Sequence, residues 1–312
     1  MRTLKVHGAL FVLAVIGALL TWTRDTTSEA DEGRPLVWER DTTDVVSVHY
    51  RAPEMDVQIQ RRTDDAGSFL WGIEIEGAES TDTLEYPVGA PGTTLVGRLA
   101  NLRVIRDLGR LSPEMVERFG LDDATETVEV EFVDERRLLA IGDSAFGGQD
   151  RYALEPATGA GYVIASDITR PLSIGEGALR ERWLHRFVDD DVATVRITVP
   201  GGDAREMART EDGEWTEVDG DVPDASFANF MQRVGQLAIG GYGAEPGPTS
   251  TRSLLRVDYL NDTGEPLGFV ELSHDDRAEQ DPYFIRSETT RIVAYAVTSL
   301  AERVREGLEE VF

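Results

Sequence analysis

The chain has 312 residues and carries a net charge of −27, from 58 acidic against 31 basic side chains. Hydrophobic content of 41% and aromatic content of 8% suffice for real cores, which excludes wholesale disorder, and the acidity argues against nucleic-acid binding and against docking on anionic lipid through a basic patch. There is no cysteine, which excludes a disulfide framework, zinc-thiolate sites, a cysteine nucleophile and a lipoprotein-type cysteine anchor. Lysine occurs once, at Lys5, and the arginine bias fits a high-GC genome or adaptation to salt without pointing to a function.

At the N-terminus, Arg2, Lys5 and His7 lead into an apolar run that ends at Thr23. Val6 to Thr23 is 18 residues long, roughly 27 Å as a helix, against a hydrocarbon core of about 30 Å. A basic start before an apolar run is the pattern of a signal anchor, with Trp22 suited to the outer interface. Residues 1–24 are therefore expected to form a single membrane anchor that leaves the remainder outside the cytoplasm, in the periplasm. The alternative is a cleaved signal peptide with Ser28-Glu29-Ala30 as its small-x-small site. Residues 25–36 read as an acidic tether.

Beyond the tether the chain carries a weak internal repeat, which sets the expected domains at residues 37–188 and 189–312. Asp44 to Tyr50 and Asp191 to Val199 are alternating strand patterns, each followed by a charged strand and then a tryptophan, Trp71 or Trp215. A helix comes next in each copy. Thr93 to Ile105 places Leu95, Leu99 and Leu102 at helical spacing, and Ala225 to Leu237 does the same for Phe227, Phe230, Met231 and Val234 behind an Asp224 N-cap. Strand patterns at 127–133, 138–141, 152–154 and 162–165 then correspond to 254–260, 267–272, 283–285 and 292–295. Each copy is expected to end in a helix, near Ala178 to Phe187 and Val297 to Val311. The separation of matching positions falls from 147 residues at Val48/Val195 to 131 at Tyr152/Tyr283, so the first copy holds extra residues. These include a short capped helix from Ser112 to Gly120. The fold class is α+β, with two tandem related modules, each a mainly antiparallel sheet with packed helices.

These residues resemble the bacterial domain-of-unknown-function 4340 family. The likeness rests on the N-terminal apolar segment, the strand-strand-tryptophan opening and the proline-containing turn into an apolar helix. Phe119-Gly-Leu-Asp122, Ile141-Gly-Asp143, Tyr152 and Tyr162-Val-Ile add to it. The resemblance implies a membrane-anchored envelope protein with a role accessory to an ABC transporter of the gliding-motility type. It carries over no catalytic residue.

The residues themselves suggest no chemistry. His49, His185 and His274 lie far apart in different elements, where a metal site or triad would need them to converge. Gly142-Asp-Ser-Ala-Phe-Gly147 is not a nucleophile elbow, and Gly147-Gly148 and Gly240-Gly241 lack the lysine and the βαβ setting of a phosphate loop. Carboxylates at Asp189 to Asp191, Asp219 to Asp221 and Asp275-Asp276 are hard oxygen donors for calcium, but EF-hand spacing is absent and Asp219 to Asp224 reads as a turn plus a helix cap. Trp71 and Trp215 read as packing anchors. The expectation is a non-enzymatic exocytoplasmic protein with no catalytic, cofactor or metal residue, accessory or scaffold to an ABC-type transport complex. The alternative is a binding protein with a ligand in the cleft between the modules.

Overall fold

The computed structural model describes residues 33–65, 67–77, 82–145, 147–202, 204–243, 251–278 and 282–312. The expected anchor at 1–24 and the first part of the tether lie outside the described residues. Among the described residues, no helix is long and apolar enough to cross a membrane.

The first half runs β1 (Val45–Ala52), β2 (Met55–Asp64), β3 (Gly67–Glu76), β4 (Thr83–Pro87), α1 (Ala90–Ala100), β5 (Arg106–Arg110), α2 (Pro113–Arg118), β6 (Glu126–Phe132), β7 (Arg136–Ser144), β8 (Arg151–Glu155), β9 (Ala160–Ile164), α3 (Ser166–Ile174) and α4 (Glu176–Leu179). The second half runs β10 (Thr194–Thr198), β11 (Arg205–Arg209), β12 (Trp215–Glu217), α5 (Ala225–Gly235), β13 (Ile239–Gly241), β14 (Thr251–Leu260), β15 (Pro266–Asp275), β16 (Tyr283–Ser287), β17 (Ala294–Ala296) and α6 (Thr298–Val311). The chain is α+β with two antiparallel sheets, ordered β4-β3-β2-β1-β6-β7-β8-β9-β5 and β12-β11-β10-β14-β15-β16-β17-β13.

With β4 set aside, the two orders correspond strand for strand. In both, the strand after the first helix leaves its chain neighbours and pairs at the far edge, β5 on β9 and β13 on β17. The alternation seen in sequence faces one side of each strand inward: Val128, Val130 and Phe132 on β6, and Leu255, Val257 and Tyr259 on β14, are buried. Leu95, Val96 and Leu99 of α1, and Phe227, Phe230 and Val234 of α5, are buried as well. One continuous cluster of buried side chains runs through both sheets.

The helix α5 starts where Asp224 caps it, its carboxylate accepting the Phe227 amide at 2.9 Å. The helix α1 begins three residues earlier than the apolar spacing predicts and stops at Ala100, since its N-cap is Gly89, with no side-chain acceptor, and Pro91 occupies the first turn. The helix expected over Ala178 to Phe187 departs further from the structure. Only Glu176–Leu179 is helical, and the helix that closes the first half lies earlier, at Ser166–Ile174, with Pro171 inside it. Past Leu179 the chain is diverted. Val88 and Arg180 form an isolated β-bridge, the Glu181 amide donates to Pro87 O at 2.7 Å, and the Glu181 carboxylate accepts the amides of Arg182 and Trp183. With those N–H groups engaged, no i→i−4 ladder forms and the segment expected as a helix runs as an extended connector instead.

Candidate functional site

The residues noted in the sequence have structural partners and do not converge. His49 Nε2 lies 2.7 Å from Asp56 on the neighbouring strand, His274 Nδ1 lies 2.8 Å from Asp276, and His185 Nδ1 lies 3.0 Å from Glu288. Asp189–Asp191 form a single 3-10 turn, with Asp189 paired to Arg209 at 2.6 Å, and Asp219 takes a positive φ in the turn before Asp224. Among the described residues, no group of three His, Asp or Glu side chains is placed to hold a metal ion.

The motif residues that carried the family resemblance instead meet in a packing knot. Phe119 stacks on Tyr152 with ring centroids 4.0 Å apart, and Phe119 O accepts the Asp143 amide at 2.8 Å. A Cβ at Gly142 would collide with Phe119 O, so this glycine is needed for strand-to-turn contact rather than for a nucleophile elbow. Trp71 and Trp215 are buried, each under an arginine: Arg62 lies 4.9 Å from the Trp71 ring and Arg209 5.1 Å from the Trp215 ring.

The place where elements do converge is the seam between the sheets, which the sequence does not reveal. Its floor is polar and largely buried. Glu176 accepts from Arg180 at 2.7 Å and from the Tyr242 amide at 3.2 Å, while the Tyr242 hydroxyl donates to Glu181 O at 3.3 Å. Glu74 on β3 accepts the Glu176 amide at 2.5 Å, and Thr289 donates to Trp183 O at 2.5 Å. Arg291, in the turn between β16 and β17, pairs with Asp64 on the first sheet. A Cβ at Gly89 would meet Arg180 O at 2.6 Å, so the start of α1 abuts the connector only because this position is glycine. Burial, and after it the neighbouring Glu74 and Glu176 carboxylates, push the Tyr86 phenol up. Tyr242 is raised by burial and then by Glu181. Both phenols therefore stay protonated near neutral pH, Tyr242 as a donor and the buried Tyr86 hydroxyl with no acceptor among the described residues.

Above this floor the connector separates two open grooves that share His185. One, of about 550 Å³, is lined by Val88, Gly89, Thr93, Trp183 and Arg186 among others. The other, of about 510 Å³, is lined by Phe187, Arg209, Trp215, Met231, Gln232 and Tyr259 among others. His185, Phe187 and Tyr259 form an aromatic cluster with centroids 4.7–5.0 Å apart. Trp183 stands beside it, 72% exposed, the most solvent-accessible aromatic of the described residues, and Val188 is 61% exposed. The signal for this region is the segment Arg-Trp-Leu-His-Arg-Phe, but its apolar spacing reads as a helix face.

No curated protein shows significant similarity to the chain. The family described as a domain of unknown function, DUF4340, matches residues 93–256, just over half of the chain. That match runs from within α1 through the packing knot and the connector into β14, so it spans the seam. The chain belongs to the DUF4340 family.

Proposed function

We propose that the protein is a membrane-tethered, exocytoplasmic, non-enzymatic scaffold, accessory to an ABC-type transport complex. The observation that supports this reading is Trp183. Its indole is 72% exposed on the connector of a strongly acidic molecule, where it lines an open groove. Tryptophan and arginine are among the residue types enriched at the energetic centres of protein interfaces. The apolar run of residues 1–24 supplies the tether, which holds this surface near a membrane complex. Extraction from native membranes in mild detergent, followed by affinity purification and mass spectrometry, tests it. Transporter subunits should accompany the wild type in stoichiometric amounts and be lost from Trp183→Ala; a protein that purifies alone in both forms contradicts the reading.

A second reading has a sugar or peptide in the cleft between the modules. It is favoured by the groove of about 510 Å³ where the connector residues His185 and Phe187 meet Val195, Trp215 and Tyr259 of the second module, a volume in the range of small-molecule sites. A raised unfolding midpoint on adding candidate sugars or peptides supports it, because ligands of the folded state stabilise that state. Unchanged midpoints across such a panel exclude it for those ligands.

A further inference from the structure

The groove that the connector shares with the second half is locally neutral in a chain of net charge −27. Of the side chains that line it, the charged ones are Asp189 and Arg209, and these pair with each other at 2.6 Å. His185 also lines it, and its Nδ1 lies 3.0 Å from Glu288, which in addition accepts the Phe269 amide at 3.0 Å. A carboxylate only accepts, so Nδ1 carries the proton. The neutral imidazole then keeps a bare lone pair on Nε2, which has no partner among the described residues. Tyr259 supplies the complementary group. Its ring packs against His185 and Phe187 and the residue is only 6% exposed, yet its hydroxyl has no hydrogen-bond partner among the described residues. Burial, and after it the nearby Glu288 and Asp189 carboxylates, push that phenol up, so it stays protonated and is a donor. Gln232 on α5 adds an amide that both donates and accepts, and half-buried Phe187 offers an aromatic surface.

We propose that this groove binds a neutral mono- or disaccharide, which deepens the cleft-ligand reading above and rests on it. A sugar hydroxyl donates and accepts at once, so a lone phenol donor and a lone imidazole acceptor suit it. The C–H face of a sugar ring packs on an aromatic ring, and Phe187, Val195 and Met231 supply apolar surface. A charged ligand would lose its hydration without an uncompensated opposite charge to offset the loss. A peptide fits less well. The strands β10 and β14, which carry Val195 and Tyr259, are each hydrogen-bonded to a strand on both sides, so they leave no ladder position for a peptide backbone.

The test uses the full chain in a polyoxyethylene detergent, which carries no sugar headgroup, and reads binding by calorimetry. Glucose, galactose, mannose, maltose, cellobiose and lactose are the neutral probes. Glucuronic acid, glucosamine and blocked trialanine are the comparators. At least one neutral sugar should saturate both the wild type and Trp183→Ala, since Trp183 lines the other groove. Tyr259→Phe removes only the unpartnered hydroxyl, so the unfolding midpoint should hold while affinity falls about tenfold, the loss of one hydrogen bond to the ligand. If that variant does not fold, Gln232→Ala at an exposed helix position replaces it, with about threefold weaker binding expected. Tighter binding of glucuronic acid or glucosamine than of glucose, unchanged affinity in the variant, or no saturable binding of any neutral sugar overturns the proposal. Trialanine binding without sugar binding overturns this proposal alone and leaves a ligand in the cleft. Absence of both contradicts the cleft reading as well.

Discussion

The two sheets share one strand order but protect their tryptophan edges in different ways. In the first, Trp71 lies on β3, its indole donates to Glu85 of the added strand β4 at 2.6 Å, and β4 covers the edge. In the second, the described residues hold no equivalent of β4. Trp215 begins a strand of three residues and packs instead against Phe227 of α5, with centroids 5.7 Å apart. Arginine sits over the ring in both. The strand order and the Arg–Trp pair are thus the common framework, and the means of closing the edge is what has diverged. Beside Trp215 the second half has a groove that Met231 and Tyr259 also line. One strand order thus carries two different tryptophan edges, one covered by a strand and one flanked by a groove.

The largest test of the comparison is in the cores. Phe227 is fully buried under Trp215 and Arg205, and Leu99 is its fully buried counterpart on α1. Phe227→Ala should cost about 3–5 kcal/mol and Leu99→Ala about 2–5 kcal/mol. Because the buried cluster is continuous, both should move one calorimetric transition; two transitions, each moved by only one variant, would mean that the halves fold independently.

Next in size is the seam that joins them. Arg180 and Glu176 are each less than a fifth exposed, and the Arg180 Nε has no acceptor, so Glu176→Ala leaves a largely buried cation and the Tyr242 amide without their partner. A loss of about 2–3 kcal/mol is expected in denaturant unfolding. In the second sheet, Arg205 pairs with Glu217, whose side chain is 61% exposed, and Glu217→Ala should cost less than about 1 kcal/mol. Equal losses would show the seam to be no more than surface.

The helix caps give a smaller and pH-dependent contrast. The Phe227 amide, and then Arg205, hold the Asp224 carboxyl below the usual carboxylate range. A depressed folded-state pKa means that the contribution is present above the unfolded value, near 4, and fades as pH falls through the folded value. Asp224→Ala should therefore cost about 1 kcal/mol at pH 7 and progressively less below about pH 4. The Gly89 cap of α1 has no side chain to titrate, so an equally acid-sensitive cap there would contradict the comparison. Smallest of all, Trp183→Ala should change stability by no more than about 0.5 kcal/mol, since the indole is exposed, while altering what the protein binds.

Legibility in the sequence follows the range of the interactions. Asp224, with its apolar stripe, announces α5 because a cap and a periodic face are local signals. The edge strands β4, β5 and β13 escape a reading by pattern, as they are short and their pairing partners lie elsewhere in the chain. Ala178 to Phe187 is expected as the helix that closes the first copy, whereas the decisive bonds are to Pro87 and Val88, about ninety residues away. The packing role of the Gly142 and Phe119 motifs is legible in kind, though only the folded chain brings them together. The seam has no sequence signature, because Glu74, Glu176 and Tyr242 come from three distant parts of the chain.

The central claim is that the connector carrying Trp183 serves a membrane-associated partner, and the direct measurement is paired affinity purification of wild type and Trp183→Ala from native membranes in mild detergent. The account predicts stoichiometric transport-complex subunits with the wild type and at least a tenfold reduction with the variant, at equal yield and thermal stability of the bait. Identical recoveries from the two, or a wild type that purifies alone, would contradict it.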